Sequence, residues 1–195
     1  MKPKFSGLMF AYGSNLNIEQ MAIRCPLAQP IGRFKLENWQ LVFRGVADCV
    51  PEVGAECWGG VWKITPVCEE ALDRYEGIRH GMYRKEYIRI KPTPDGFRNM
   101  LIYTMNSDGI MPPSCGYLET IRQGYRDHSM PKKAWASLRQ SLAHAWDEKA
   151  PSHIERQRYR RNGRPKLAAY PQSKAKPKAE DYAKYGLEGA NDAAA

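Results

Sequence analysis

The stretch Gly7-Leu8-Met9-Phe10-Ala11-Tyr12-Gly13-Ser14-Asn15-Leu16 decides how the rest of the chain is read. The uncharged run Gly7 to Ala11 predicts a short buried strand, and a helix-compatible segment, Ile18 to Arg24, follows the turn. A strand that ends in Gly-Ser-Asn and opens into a helix aims backbone N–H groups at one small volume. The helix dipole adds partial positive charge there, so the turn suits a carboxylate or another anion. On spacing alone an ordinary strand–turn–helix connection is the commoner reading of such a stretch.

Outward from the turn, Asn17 is placed to cap the first helix, with Gln20 in a capping-box relation three places on. Cys25-Pro26 ends that helix, because the residue before proline avoids the helical region. Ile31 to Arg44 is strand-like, with Phe34, Leu36, Leu41, Val42 and Phe43 as core candidates. Gly45 to Ala55 reads as a loop broken by Pro51 and Gly54. Cys57 to Ile64 returns to strand chemistry, and Gly59-Gly60 within it predicts a close backbone approach or a bulge. Thr65-Pro66 opens a short helix that runs to Glu76, with Val67, Leu72 and Tyr75 facing inward and Gly77 as its stop.

Two further strands are expected, Arg84 to Lys91 and Asn99 to Met105. Two helices then close the domain, Ser114 to Asp127 and Pro131 to Asp147. In the second, Trp135, Leu138, Leu142 and Trp146 recur at core-facing spacing. The pattern predicts one mixed α/β domain of about five or six strands over residues 1–147.

Composition bounds the function. Of 195 residues, 43% are hydrophobic and 26% charged, which is ordinary for a globular domain. No apolar run reaches membrane-span length, and the apolar stretch after the basic start turns too soon for a signal peptide, so a cytoplasmic protein without membrane contact is expected. Five cysteines without a C-x-x-C pair and four scattered histidines support neither a disulfide framework nor a metal site. Of the net charge of +9, the segment from His153 to Lys178 carries most, with nine Lys or Arg against Glu155 alone. Residues 148–195 therefore read as a basic, disordered tail with helical tendency around Ile154 to Arg161. Its interleaved Arg and Tyr suit a nucleic acid or another polyanion, or serve solubility alone.

A second cluster follows the short helix: Glu76-Gly77-Ile78 and then Gly81-Met82-Tyr83. A carboxylate at a helix C-terminus meets an unfavourable dipole, and burial raises its pKa in the same direction. Such a group can act as a general base near neutrality, although a lone glutamate at a helix end is most often solvated. Cys68 and Cys115 lack a suitably spaced histidine, which argues against a thiol nucleophile.

Taken together these blocks resemble the γ-glutamylcyclotransferase family. The likeness rests on Phe-Ala-Tyr-Gly-Ser-Asn-Leu at 10–16, Gly-Gly-Val-Trp-Lys at 59–63, Glu-Gly-Ile with Gly-Met-Tyr at 76–83, and Pro-Ser-Cys-Gly-Tyr at 113–117. The resemblance implies a small mixed α/β barrel flanked by helices, cofactor-independent, acting on a small γ-glutamyl substrate and releasing 5-oxoproline. It implies Glu76 as catalytic acid/base. Met9, Phe10, Ala11, Tyr12, Gly13 and Ser14 would hold the γ-glutamyl group, Asn15 and Leu16 would steady the turn, and Tyr83 and Tyr117 would contact substrate. The Tyr-Gly-Ser-Asn form of the turn points away from a dedicated glutathione-degrading role. A nucleic-acid-associated module using the basic tail is the alternative reading.

Overall fold

β1 (Leu8–Ala11) has all four residues buried and lies at the centre of a five-stranded sheet ordered β2-β3-β1-β5-β4. A strand covered on both faces needs an apolar run and not an alternation, which is what residues 8–11 supply. The computed structural model describes residues 7–91, 93, 94 and 96–146. The expected basic tail, 148–195, lies outside them.

β1 runs antiparallel to β3 (Ala47–Lys63), from Leu8 opposite Lys63 to Ala11 opposite Gly60, and parallel to β5 (Asn99–Met105) through Met9 and Leu101. β2 (Gln29–Phe43) pairs with β3 as a long hairpin, and β4 (Tyr83–Arg89) pairs with β5. Gly59 and Gly60 are the expected close approach. A Cβ on Gly59 would sit 2.3 Å from the Ala11 carbonyl oxygen, and one on Gly60 would enter the His128 ring.

The segment expected as a loop, Gly45 to Ala55, is instead the first half of β3. Residues 47–56 pair only with β2, so the missing N–H of Pro51 breaks no ladder on the β1 side. Gly54 sits at φ 82° where the register jumps. It faces Asn38, itself at φ 61°, whose side chain accepts the Gly54 N–H at 3.0 Å. On either side of this point Cys49 and Cys57 are both buried, and burial together with the neighbouring Cys57 raises the Cys49 pKa.

The mixed α/β reading and the strand count stand, but the sheet is not closed into a barrel: β2 and β4 end the strand order. Side chains bridge the opening. The buried Asp48 carboxylate accepts the N–H of Met105 on β5 at 2.9 Å, and Tyr83 on β4 donates to the Ala47 carbonyl at 3.3 Å. Arg44 completes the seam with an ion pair to Asp48 at 2.8 Å.

Among the described residues, four α-helices pack around the sheet. In α1 (Ile18–Arg24), Asn17 accepts the Gln20 N–H at 2.8 Å as expected. The Gln20 side chain turns to Arg24 and Thr120, and no reciprocal capping-box bond to Asn17 appears among its contacts. In α2 (Pro66–Tyr75), Thr65 caps Cys68, and Cys68 and Leu72 face the core. Val67 and Tyr75, expected inward, are 64% and 45% exposed. Val67 lies about 100° around the helix from Cys68, and Tyr75, on the last turn, overhangs the core edge against α1.

α3 (Cys115–Asp127) is capped by Ser114, and α4 (Lys132–Trp146) follows. The core stripe of α4 is Ala134, Leu138, Ser141 and Ala145. Small residues let the helix approach β2, where Ser141 donates to the Leu41 carbonyl at 2.6 Å. Trp135 and Leu142 therefore flank the contact, and Trp146 is 63% exposed. Among the described residues no helix is long and apolar enough to cross a membrane.

Candidate active site

β1 ends at the turn from Tyr12 to Leu16, in which Ser14–Leu16 form one 3-10 turn leading through Asn17 into α1. Its closing bonds are Leu16 N–H to the Gly13 carbonyl at 3.0 Å and Asn17 N–H to the Ser14 carbonyl at 3.1 Å. His128 fixes the far end. Its Nε2–H donates to the Leu16 carbonyl at 3.1 Å, and burial holds the ring neutral with a pKa near 4.

Across from the turn, α2 stops at Glu76, because Gly77 adopts the left-handed conformation at φ 65°. The stop turns Glu76 inward to 9% exposure. Asn15 Nδ2 donates to Glu76 Oε1 at 2.8 Å, across 61 positions of sequence. Burial raises the Glu76 pKa from 4.5 to about 7, against the pull of the Asn15 hydrogen bond and the Arg24 charge. A carboxyl group poised there can take up or release a proton at neutral pH.

Tyrosines line the neighbourhood. Tyr12 donates to the Tyr103 carbonyl at 2.5 Å, and its own pKa is raised by burial and by nearby Tyr83 and Asp48. The Tyr117 phenol oxygen accepts the Ala47 N–H at 3.1 Å. Burial raises the Tyr117 pKa, opposed by that amide and by the Ser14 amide. Gly13 makes room for this ring: a Cβ there would lie 2.9 Å from the phenol oxygen.

The structure therefore brings Glu76, Asn15, Ser14, Gly13 and Tyr117 to one place, with Tyr83 tied to the carbonyl of the same residue, Ala47, whose N–H meets Tyr117. The side chains of Met9, Phe10, Ala11 and Leu16 are buried in the core, so what these positions can offer a ligand is backbone. Two residues absent from the sequence reading of the site belong to its framework. Arg24 reaches Ser14 Oγ at 3.2 Å and Asn15 Oδ1 at 2.5 Å with one nitrogen, and Gln20 Oε1 at 2.5 Å and the Tyr75 phenol at 2.6 Å with another. The i,i+4 pairing of Gln20 with Arg24 was the available signal. For Tyr75, which reads as a core residue, there was none.

Residues 56–138 match the family model described as the AIG2-like family. Over that stretch the chain is similar to the AIG2-like family. That match contains Glu76, Tyr83 and Tyr117, and similarity to individual proteins extends further. The gamma-glutamylcyclotransferases of Bos taurus and Homo sapiens are each 28% identical over 162 residues, covering 77% of this chain and 86% of the relative. A solved structure of a gamma-glutamyl cyclotransferase superposes with a TM-score of 0.60 at 28% identity, over 68% of this chain and 85% of that one.

Proposed function

We propose that this chain is an AIG2-like, γ-glutamylcyclotransferase-type enzyme. It converts a γ-glutamyl amine or γ-glutamyl amino acid into 5-oxoproline and the free amine. The observation that carries the reading is the buried Glu76 carboxyl, held near neutrality and hydrogen-bonded by Asn15 of the turn. The similarity to gamma-glutamylcyclotransferases supports the same substrate class.

On this reading the Glu76 carboxylate removes a proton from the substrate α-ammonium. The freed amine attacks its own γ-carbonyl carbon and closes a five-membered lactam. Glu76–COOH then returns the proton to the departing nitrogen as the original amide C–N bond breaks; the second proton shed by the attacking nitrogen follows the same route, so the amine leaves as its ammonium ion and the carboxylate is ready for another cycle. Holding the substrate folded supplies most of the acceleration, since well-oriented intramolecular attack is worth roughly 7–11 kcal/mol. The Met9-to-Ser14 turn grips the γ-glutamyl end through its backbone, with Tyr117 and Tyr83 forming the wall, and no cofactor is called for.

Incubation with γ-glutamyl amino acids, γ-glutamyl amines and glutathione, followed by assay of 5-oxoproline, tests the activity. Glu76→Gln retains the fold and loses turnover. Wild-type release of 5-oxoproline by that variant would remove Glu76 from the mechanism.

A further inference from the structure

Arg24 sits at the last residue of α1 and is only partly buried, yet its guanidinium spends its donors on four side chains around the site. It also lies over the Tyr75 ring, 3.7 Å from the centroid. One of the four contacts has a consequence for Glu76. A guanidinium has donors and no acceptor, so the Asn15 amide must show it Oδ1. The other end of the same amide, Nδ2, then has to face Glu76, and it does so at 2.8 Å.

We infer that Arg24 is a positioning residue that fixes the orientation of the Asn15 amide, so that Asn15 donates to the ionised Glu76 carboxylate. This rests on the proposed role of Glu76 as acid/base. Without Arg24 the amide is free to rotate. Its oxygen then faces Glu76, repels the carboxylate and accepts a hydrogen bond from the protonated acid. The rotation therefore shifts the acid toward the form that cannot take the substrate proton.

The groups around Glu76 leave this task to α1. Tyr12 of the turn after β1, Tyr103 of β5 and Tyr117 of α3 interact electrostatically with Glu76, and burial holds all three phenols neutral. Among the described residues, Arg24 is the cation whose charge acts on Glu76. It can do so directly, by charge, or through Asn15, and the two routes are separable.

The experiment follows the Glu76 carboxyl in the full chain by carbon NMR, with the signal assigned by its loss in Glu76→Gln, beside the pH profile of kcat/KM. Arg24→Met keeps the apolar stem and removes the donors. It is expected to raise the Glu76 midpoint by about one pH unit, a roughly tenfold tighter hold on the proton. The rising limb of kcat/KM moves with it, and Arg24→Lys restores part of the shift. In an Asn15→Ala background the same substitution moves the midpoint by much less, because the relay is already cut. An unmoved midpoint in Arg24→Met, or an equal shift in both backgrounds, overturns the positioning role. A midpoint that moves as expected in a protein that releases no 5-oxoproline upholds the positioning role and overturns the catalytic reading instead.

Discussion

Replacing Glu76 by glutamine is expected to stabilise the fold at the pH where it abolishes activity. The folded chain holds the Glu76 proton more tightly than the unfolded chain, with a pKa of about 7 against an ordinary 4.5. The stability this group contributes is therefore fully present below pH 4.5 and is lost as pH rises through 7. Keeping the charged form buried above pH 7 costs about 3 kcal/mol, from 1.36 kcal/mol per pH unit of difference. Glutamine has the same shape and can still accept from Asn15, but it carries no charge to desolvate. At pH 8 the variant should be about 3 kcal/mol more stable than wild type, or roughly 6–12 °C higher in Tm for a chain of this size. Near pH 4.5 the gain should shrink toward zero. Urea or thermal melts at pH 4.5, 6 and 8 give the whole curve. A variant that is no more stable at pH 8, or a gain that does not change with pH, would show that Glu76 is not held against its charge.

Two more substitutions test the frame around the site. Asp48→Ala leaves Arg44 without its carboxylate and the Met105 and Cys49 amides without their acceptor, and should cost about 3–5 kcal/mol in urea melts. A loss under 1 kcal/mol would mean that the seam between β3 and β5 is not held there. Gly13→Ala puts a methyl 2.9 Å from the Tyr117 phenol oxygen and 3.2 Å from Ala47 Cβ. It should destabilise by about 1–3 kcal/mol and lower kcat/KM for the best γ-glutamyl substrate, while the far-ultraviolet circular dichroism stays native.

Much of this arrangement is legible where a local cause sets it. Asn17, Cys25-Pro26, Thr65-Pro66 and Gly77 bound their helices by capping and backbone restriction, and those bounds appear in the structure. Glu76 is legible for the same reason, since a helix stop decides where it points. What escapes the sequence depends on neighbours far along the chain. Pro51 and Gly54 look like breakers until it is seen that their stretch of β3 pairs on one side and bends. The two tryptophans of α4 outrank Ala134, Ser141 and Ala145 in hydrophobicity, but close approach to β2 favours small residues. Arg24 reads as a helix-end cation, and one of the side chains it binds, Tyr75, is 51 positions away.

Those long separations have a consequence for the order in which the site can come into being. The β2–β3 hairpin closes by neighbours in sequence. β1, the first strand among the described residues, pairs with residues 60–63 on one side and with Leu101 on the other. The turn it carries waits on distant partners too: the carboxyl it faces is 61 positions on, and the imidazole that holds Leu16 is 112 positions on. Each of these closures restricts a long loop before any contact rewards it. A nascent chain ending before α3 thus carries both the Tyr12-to-Leu16 turn and Glu76 but not the helix against which the turn is seated, so the turn is written well before the element that sets it.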